Sequence, residues 1–169
     1  LEKARPAGTP RLLFSAHGLP ERIVEKGDPY GWRVERTAQA VARAVGIADL
    51  DWRVCYQSRV GPLRWIGPST VDELKRAGTD RVPVVVVPIA FVSEHSETLV
   101  ELDIEYKALA EAHGVPAYVR VPAVGTDEDF IKGLAEVVRT AGENAHPVAW
   151  AADGERCPPS FAGCPLSKV

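Results

Sequence analysis

The segment RVPVVVVPIAF, residues 81–91, places four consecutive valines between Pro83 and Pro88. A strand with one wet face alternates apolar and polar residues, whereas a continuous apolar run is typical of a strand that is buried on both faces of a parallel sheet. The run is also far shorter than the ~20 residues that a membrane-spanning helix needs. It therefore predicts the central strand of a parallel α/β sheet.

The segments on either side of this run predict the rest of the sheet. Three further short apolar segments are expected to be strands: Arg11–Ala16, Trp52–Gln57 and Ala117–Pro122. Helical periodicity is expected from Pro29 to about Val45, from a cap at Ser69 or Thr70 to Ala77, from the end of the valine run to Gly114, and from a cap at Thr126 to about Thr140. Alternating strands and helices with short loops predict a doubly wound, four-stranded parallel α/β sheet of the Rossmann-like kind.

Length and composition limit the class of protein. The chain has 169 residues, 25% of them charged, and a net charge of −3, which fits one domain and gives no basic field for nucleic acid. We expect a linker over residues 1–10, the α/β domain over 11–142 and a cysteine-containing tail over 143–169. The absence of methionine predicts that the chain is a fragment, and an odd count of three cysteines predicts a reducing, cytoplasmic location.

Two histidines are expected at one edge of this sheet. His17 follows the first predicted strand and His95 follows the third. Each could be an exposed loop residue that bonds to the backbone. Because the carboxyl ends of parallel strands share one edge, and ligands bind outside that edge, their convergence favours a functional site. No glycine-rich phosphate-binding motif follows any strand, which argues against a nucleotide.

An acidic row begins next to His95. Glu97, Glu101 and Glu105 are four residues apart and would lie above one another on an α-helix. The opposite, core-facing stripe would consist of Leu99, Leu102, Tyr106 and Leu109. Such a row can be a solvated surface, but like charges at this spacing repel by a few tenths of a kcal/mol, and imidazole with carboxylates is a ligand set for Fe²⁺ or Zn²⁺.

A tryptophan lies in the proline- and glycine-rich loop after the second strand. Trp65, in the segment SRVGPLRWIGPST (58–70), could cap the core. It could equally offer a flat apolar wall to a planar aromatic ligand.

Three segments taken together resemble the C-terminal half of the ferrochelatases: SAHGLPERIVEKGDPY (15–30), YQSRVGPLRWIGPST (56–70) and VPIAFVSEHSETLVELDIEY (87–106). The resemblance spans about residues 11–140. It implies insertion of Fe²⁺ into a porphyrin, protoporphyrin IX or coproporphyrin III, in haem synthesis. It also implies two similar Rossmann-like halves with the macrocycle between them, so that an N-terminal half would be the partner of this chain.

The resemblance also assigns roles to individual residues. It places the catalytic histidine at His17 and the metal-binding glutamate at Glu97, with His95 as the partner of that glutamate. The expected metal-binding residues are His17, Glu97, Glu101 and Glu105. A neutral imidazole is a suitable acceptor for the two pyrrole protons that metalation removes.

Porphyrin and cluster contacts follow from the same resemblance. Ser58 and Trp65 would lie beside the macrocycle, and an apolar substrate leaves open a peripheral contact with the inner membrane. Some ferrochelatases hold a [2Fe–2S] cluster, which needs four thiolates. The tail supplies only Cys157 and Cys164, and Cys55 is expected to be a buried hydrophobic residue, so a cluster would need ligands from elsewhere.

Two alternatives to iron insertion remain open. One is insertion of Co²⁺ or another metal into a different tetrapyrrole. The other is a half-domain that binds porphyrin or metal without turnover, because a cleft with one wall cannot bury most of a macrocycle.

Overall fold

A four-stranded parallel sheet forms the centre of the computed structural model, which describes residues 1–143 and 157–164. The strands are β1 (Arg11–His17), β2 (Trp52–Gln57), β3 (Val84–Pro88) and β4 (Tyr118–Arg120). Their spatial order is β2-β1-β3-β4, and every neighbouring pair is parallel. The predicted fold class is confirmed, and the valine run is an inner strand between β1 and β4, as its continuous apolar pattern requires.

In the described part of the chain, five α-helices and one π-helical segment accompany the sheet. The α-helices are α1 (Glu21–Val24), α2 (Tyr30–Val45), α3 (Thr70–Asp80), α4 (Lys107–Ala112) and α5 (Glu128–Glu143). The π-helical segment Glu97–Tyr106 continues directly into α4.

The two faces of the sheet are covered by different helices. On one face, Leu12, Phe14 and Val85 pack with Ala38 and Ala42 of α2. The other face is covered by α3, the π-helical segment and α4, whose buried residues join those of the strands in one cluster: Leu13, Cys55, Leu74, Ala77, Val84, Val86, Leu102, Ala110 and Val115. Alternate residues of β1 and β3 therefore face opposite layers, which is the doubly wound arrangement.

The helix after β3 differs from the prediction. Leu99, which was expected in the core, has 48% of its surface exposed, whereas Thr98 and Leu102 are fully buried. The reason is that residues 97–106 form a π-helix, whose wider turn rotates the side chains relative to the α-helical pattern. Thr98 is held at the start of this segment because its hydroxyl donates to the His95 carbonyl at 3.0 Å and accepts from the His95 amide at 2.9 Å.

The structure shows which residues cap the starts of α3 and α5. The Ser69 hydroxyl accepts from the Asp72 amide at 3.0 Å, so Ser69 caps α3. At the start of α5 the carboxylate of Asp127, rather than the side chain of Thr126, accepts from the amides of Asp129 and Phe130 at 3.1 and 3.3 Å. None of the residues of α5 is buried.

The predicted division into linker, domain and tail remains a prediction. Within the proposed linker, Ala4 is fully buried and packs with the cluster beneath α2. Of the proposed tail, residues 144–156 and 165–169 lie outside the described residues. No helix in the described part of the chain is both long and apolar enough to cross a membrane.

Candidate active site

An open hollow lies outside the carboxyl ends of β1 and β3. The chain leaves β1 toward β2 on one side and later returns to place β3 on the other, so this is the point at which the strand order reverses, where α/β folds bind ligands. The hollow has a volume of about 480 Å³. It is lined by His17, Ser58, Val60, Trp65, Ser96, Glu97, Val100, Glu101 and Glu105.

The lining contains six of the seven predicted site residues. The exception is His95, which contacts Glu97 but does not line the hollow. A second hollow of about 490 Å³ lies near residues 1–10 and 47–51, toward the amino ends of the strands. Its lining has neither histidine nor cysteine, and its position is not the one at which α/β sheets bind ligands.

His17 ends β1 with a defined ring orientation. Its Nδ1 lies 2.7 Å from the Gly18 carbonyl oxygen. Because a carbonyl oxygen can only accept, Nδ1 carries the proton of this hydrogen bond, and Nε2 of the neutral ring keeps its lone pair. The Tyr30 hydroxyl donates to the His17 carbonyl at 2.9 Å and fixes the backbone beneath the ring. His17 therefore presents one basic nitrogen, Nε2, in addition to the bonded Nδ1.

Glu97 is the first residue of the π-helical segment. Its Oε2 lies 2.7 Å from Nδ1 of His95 and accepts a hydrogen bond from the Ser96 hydroxyl at 2.8 Å. Hydrogen bonds from Ser96, from the Glu97 amide and from His95 lower the pKa of the Glu97 carboxyl. The Glu97 side chain is 37% exposed, so it is an ionised and accessible carboxylate.

Glu101 is held in place much more firmly than Glu97. Its carboxylate accepts from the Ser58 amide at 2.7 Å, the Ser58 hydroxyl at 2.5 Å, the Tyr106 hydroxyl at 2.6 Å and the Gln57 side-chain amide at 3.1 Å. Ser58 adopts a left-handed backbone conformation with φ of 59°, which is uncommon for a residue with a side chain. The third glutamate, Glu105, is exposed.

A buried polar chain beneath the site was not found from the sequence. The Ser15 hydroxyl donates to Oε1 of Gln57 at 2.8 Å and also bonds to the Thr70 hydroxyl. With its oxygen occupied, Gln57 directs its nitrogen to the Glu97 carbonyl at 2.8 Å and to Glu101. The available signal was a polar residue, Gln57, directly after Val54, Cys55 and Tyr56 at the carboxyl end of β2, because a buried amide must have hydrogen-bond partners.

A second missed contact fixes the π-helical segment to β4. The Arg120 guanidinium donates to both oxygens of Asp103, at 2.7 and 2.5 Å, and to Glu94 at 2.6 Å. Glu94 also accepts from the Ala123 amide at 2.9 Å. Burial alone would raise the pKa of Glu94, but the hydrogen bonds from Thr98, Arg120 and Ala123 outweigh it and lower the pKa to about 2.

Trp65 forms one wall of the hollow. Its segment pairs with residues 19–21, since the Ile66 amide donates to the Leu19 carbonyl at 3.0 Å. A Cβ on Gly18 would lie 2.9 Å from the Gln57 carbonyl oxygen and 3.2 Å from the Trp65 ring, so only glycine permits this close approach. The indole nitrogen is buried, with no hydrogen-bond partner among the described residues, so the exposed part of the ring is carbon.

Comparison with known proteins identifies the family. The ferrochelatase family model matches residues 1–142. The chain belongs to the ferrochelatase family. A ferrochelatase from Caulobacter vibrioides (strain NA1000 / CB15N) is 54% identical over 167 residues, covering 97% of this chain and 48% of the relative. The ferrochelatase of Pelagibacter ubique (strain HTCC1062) is 52% identical over 155 residues, covering 92% of this chain and 45% of the relative.

These relatives are longer than the chain described here. This ferrochelatase-family chain spans about half the length of the curated relatives that it matches. Among solved structures, a putative cobalamin (vitamin B12) biosynthesis CbiX protein from Marinobacter aquaeolei VT8 has a TM-score of 0.56 and 18% identity. The match covers 79% of this chain and 97% of that protein, and it shows a shared fold.

The ferrochelatase-family hollow is not a preformed metal cage. Within residues 1–143 and 157–164, no three histidine, cysteine, aspartate or glutamate side chains are grouped closely enough to hold one metal ion. His17, Glu97, Glu101 and Glu105 line one hollow, but the carboxylate of Glu101 is already bonded to four donors. The predicted metal roles of these residues therefore remain predictions.

The cysteines fit only part of a [2Fe–2S] site. Nη2 of Arg33 lies 3.3 Å from the sulfur of Cys164 and 3.6 Å from that of Cys157, so these two cysteines lie together. Cys55 lies in the core under α3, where burial raises its pKa to about 12. A cluster needs four thiolates, and this chain offers at most two at one place.

Proposed function

We propose that this chain is the C-terminal half of a ferrochelatase and inserts Fe²⁺ into a porphyrin together with an N-terminal half. The observation that supports this proposal is that His17 and Glu97, far apart in sequence, line one hollow where the strand order reverses. A basic nitrogen and an ionised carboxylate there supply the two functions that metalation needs. The nitrogen of His17 would take up protons, and the carboxylate of Glu97 would hold the metal.

Proton removal is assigned to His17. Insertion of Fe²⁺ replaces two pyrrole N–H protons, so two protons must leave the macrocycle for each metal ion inserted. Nε2 of His17 keeps its lone pair because Nδ1 donates to the Gly18 carbonyl. A neutral imidazole is a suitable acceptor for a pyrrole proton, which it can pass on to water.

Metal delivery is assigned to Glu97, with His95 as its positioning residue. The lowered pKa of Glu97 keeps the carboxylate charged, and its exposure lets Fe²⁺ arrive with part of its water shell. Glu105 lies farther along the same lining and would attract the cation, whereas Glu101 would act mainly by holding the segment in shape.

The porphyrin is expected to lie against the apolar part of the hollow. Trp65 offers a carbon surface, and Val60 and Val100 are 73% and 45% exposed beside it. A single wall cannot enclose a macrocycle, so the N-terminal half would complete the cleft. Protoporphyrin IX and coproporphyrin III are both candidates. A cytoplasmic location with peripheral inner-membrane contact would suit protoporphyrin IX, the more apolar of the two.

The test uses a full-length chimera. In this chimera the chain replaces the matching 48% of the Caulobacter relative, so that both halves are present. Fluorescence of porphyrin is recorded after Fe²⁺ is added, because metalation quenches the emission. We expect His17→Ala to reduce turnover by roughly 10²- to 10⁴-fold, whereas His113→Ala, at an exposed position after α4, leaves it unchanged. Near-normal turnover in His17→Ala would contradict the proposal.

A second variant tests metal delivery. Glu97→Gln should raise the KM for Fe²⁺ or abolish turnover while the porphyrin still binds, and Glu111→Gln, at an exposed position of α4, is the control. Loss of porphyrin binding alone would contradict this role. If the unmodified chimera binds porphyrin without quenching, the non-catalytic binding module is the correct alternative. Quenching with Co²⁺ but not Fe²⁺ would indicate another chelatase.

A further inference from the structure

One peptide group at the end of β1 is held from both sides. This peptide joins His17 to Gly18. Its N–H donates to the Gln57 carbonyl at 2.7 Å, and its C=O accepts from the Tyr30 hydroxyl at 2.9 Å. Because a peptide group is planar, two hydrogen bonds at its opposite ends fix its orientation. The His17–Gly18 peptide is therefore set by two other segments of the fold, the end of β2 and the start of α2.

The conformation at Gly18 determines which hydrogen bond the His17 ring makes. The Gly18 carbonyl oxygen lies 2.7 Å from Nδ1 of His17. A ring nitrogen that is bonded to a carbonyl oxygen carries the proton, and the other nitrogen of a neutral ring then keeps the lone pair. If the Gly18 carbonyl turned away, the ring would lose this preference for one tautomer. The tautomer of His17 therefore depends on the backbone that follows it.

Glycine at position 18 makes external support of this backbone necessary. A Cβ on Gly18 would lie 2.9 Å from the Gln57 carbonyl oxygen, so the close approach of the two segments requires glycine. Glycine also has a wider range of backbone torsion angles than any residue with a side chain. Nothing in Gly18 itself keeps its carbonyl directed at Nδ1 of His17, so the hydrogen bonds to the preceding peptide must do so.

Tyr30 supplies a hydrogen bond where the sheet has ended on one side. The ladder between β1 and β3 ends at the pair of Ser15 and Pro88, two residues before His17. The His17 carbonyl lies beyond that ladder, and the Tyr30 hydroxyl donates to it instead of a strand. Tyr30 is itself held in place, because Asp28 accepts from its backbone amide at 2.8 Å. Its ring packs against a small buried cluster formed by Ala16, Val34 and Tyr56.

We propose that Tyr30 is a positioning residue that holds the His17–Gly18 peptide and thereby keeps the lone pair of the neutral His17 ring on Nε2. This inference rests on the proposed function, in which that lone pair receives a pyrrole proton. In the opposite tautomer Nε2 carries a proton and cannot accept another from the substrate. Tyr30 therefore acts on the reaction through His17 and needs no contact with the porphyrin.

A purely structural role of Tyr30 is the competing explanation. Buried carbonyl groups are usually hydrogen-bonded, and a tyrosine hydroxyl can satisfy one without any effect on a reaction. Tyr118 makes such a contact elsewhere in the chain, since its hydroxyl donates to the Leu102 carbonyl at 2.8 Å. Tyr118→Phe removes the same kind of hydrogen bond without touching the His17–Gly18 peptide. It is therefore the matched control for Tyr30→Phe.

The experiment measures the tautomer of His17 by nuclear magnetic resonance. The histidine rings of the full-length chimera are labelled with ¹⁵N, and spectra are recorded near pH 8, where histidine side chains are mostly neutral. The signals of His17 are those that disappear in His17→Ala. In the unmodified chimera we expect a protonated Nδ1 and an unprotonated Nε2. In Tyr30→Phe the Nε2 signal should move roughly a third or more of the way to its protonated position, and in Tyr118→Phe it should not move.

Turnover of the same variants gives a second measurement. The rate of metalation should scale with the fraction of molecules that hold the competent tautomer. We expect Tyr30→Phe to lower kcat roughly 3- to 10-fold, while the Kd for porphyrin and the KM for Fe²⁺ stay within about 2-fold of the unmodified values. Tyr30→p-aminophenylalanine keeps a donor group at the same place on the ring. It should restore both the Nε2 signal and kcat.

Four results would each overturn the positioning role of Tyr30: an unprotonated Nδ1 of His17 in the unmodified chimera, an unchanged Nε2 signal or kcat in Tyr30→Phe, an equal shift in Tyr118→Phe, or no recovery with p-aminophenylalanine. The first of these needs no substitution, so it decides the question even if a variant does not fold. Metalation by the unmodified chimera with an unchanged signal in Tyr30→Phe would leave the proposed function standing. The expected signals without any metalation would do the reverse.

Discussion

Ser58 donates to Glu101 twice, from its backbone amide at 2.7 Å and from its hydroxyl at 2.5 Å. Tyr106 adds a third donor to the same carboxylate at 2.6 Å. The loop after β2 is thereby fastened to the π-helical segment directly beside the hollow. Glu101 therefore differs in function from its neighbours in the acidic row, because its oxygens are used to hold the protein together.

This difference can be measured through stability. Glu101→Gln keeps the shape of the side chain but turns an NH₂ group toward donors, so at least one part-buried donor loses its acceptor. We expect a decrease in the free energy of unfolding of about 1 to 3 kcal/mol. Glu105→Gln, at an exposed position, should change it by less than about 0.5 kcal/mol. Equal effects of the two variants in urea titrations would show that the network does not hold the segment.

Arg120 is expected to fix the π-helical segment to β4. Arg120→Lys keeps the charge but cannot form the two-pronged contact with Asp103 while also reaching Glu94. The loss should be about 1.5 to 3 kcal/mol in urea unfolding, with faster hydrogen exchange over residues 97–106. Arg76→Lys is the control, because the Arg76 side chain is half exposed and its contacts with Glu73 and Asp80 are longer, at 3.7 and 3.9 Å. An unchanged exchange rate in Arg120→Lys would refute this role.

Stability should depend on pH through Glu94. Its pKa falls from 4.5 to about 2 in the folded protein, so its contribution is complete above pH 4.5 and is lost as the pH falls toward 2. Glu94→Gln lacks this contribution at every pH. The difference in urea midpoint between the unmodified protein and Glu94→Gln should therefore be largest near pH 6 and clearly smaller near pH 3. A difference that stays constant with pH would contradict the assignment.

Two helical glycines should respond in opposite directions to alanine. A Cβ on Gly78 of α3 would lie 2.1 Å from the His113 carbonyl oxygen, so Gly78→Ala must displace the backbone after α4. We expect a loss of about 1 to 3 kcal/mol in the free energy of unfolding. Gly133 of α5 has open space at that position, and Gly133→Ala should stabilise its helix by roughly 0.5 to 1 kcal/mol. Both are measured by denaturation of the 169-residue chain, and a stabilised Gly78→Ala variant would be inconsistent with the packing of α3 against α4.

Local sequence patterns were sufficient to predict the strands of the sheet and the helices between them. The valine run, the other short apolar segments and the helix periodicity between them report burial on one or two faces, and those signals depend on nearest neighbours along the chain. His17 and Glu97 could be placed at one edge because strand ends in parallel sheets coincide. The prediction failed at Leu99, where the α-helical period was assumed and the chain adopts a π-helix.

The sequence alone determined the α/β class, the placement of His17 and Glu97 at one edge of the sheet, and the segments that resemble the ferrochelatases. Only the tertiary structure decided that the Glu101 carboxylate is held by four hydrogen bonds and that Gln57 connects the core to the π-helical segment. The physical reason is that hydrophobic periodicity is a local property of the chain. Hydrogen-bond partners and helix contacts depend on strand order and register, which bring together residues from distant segments.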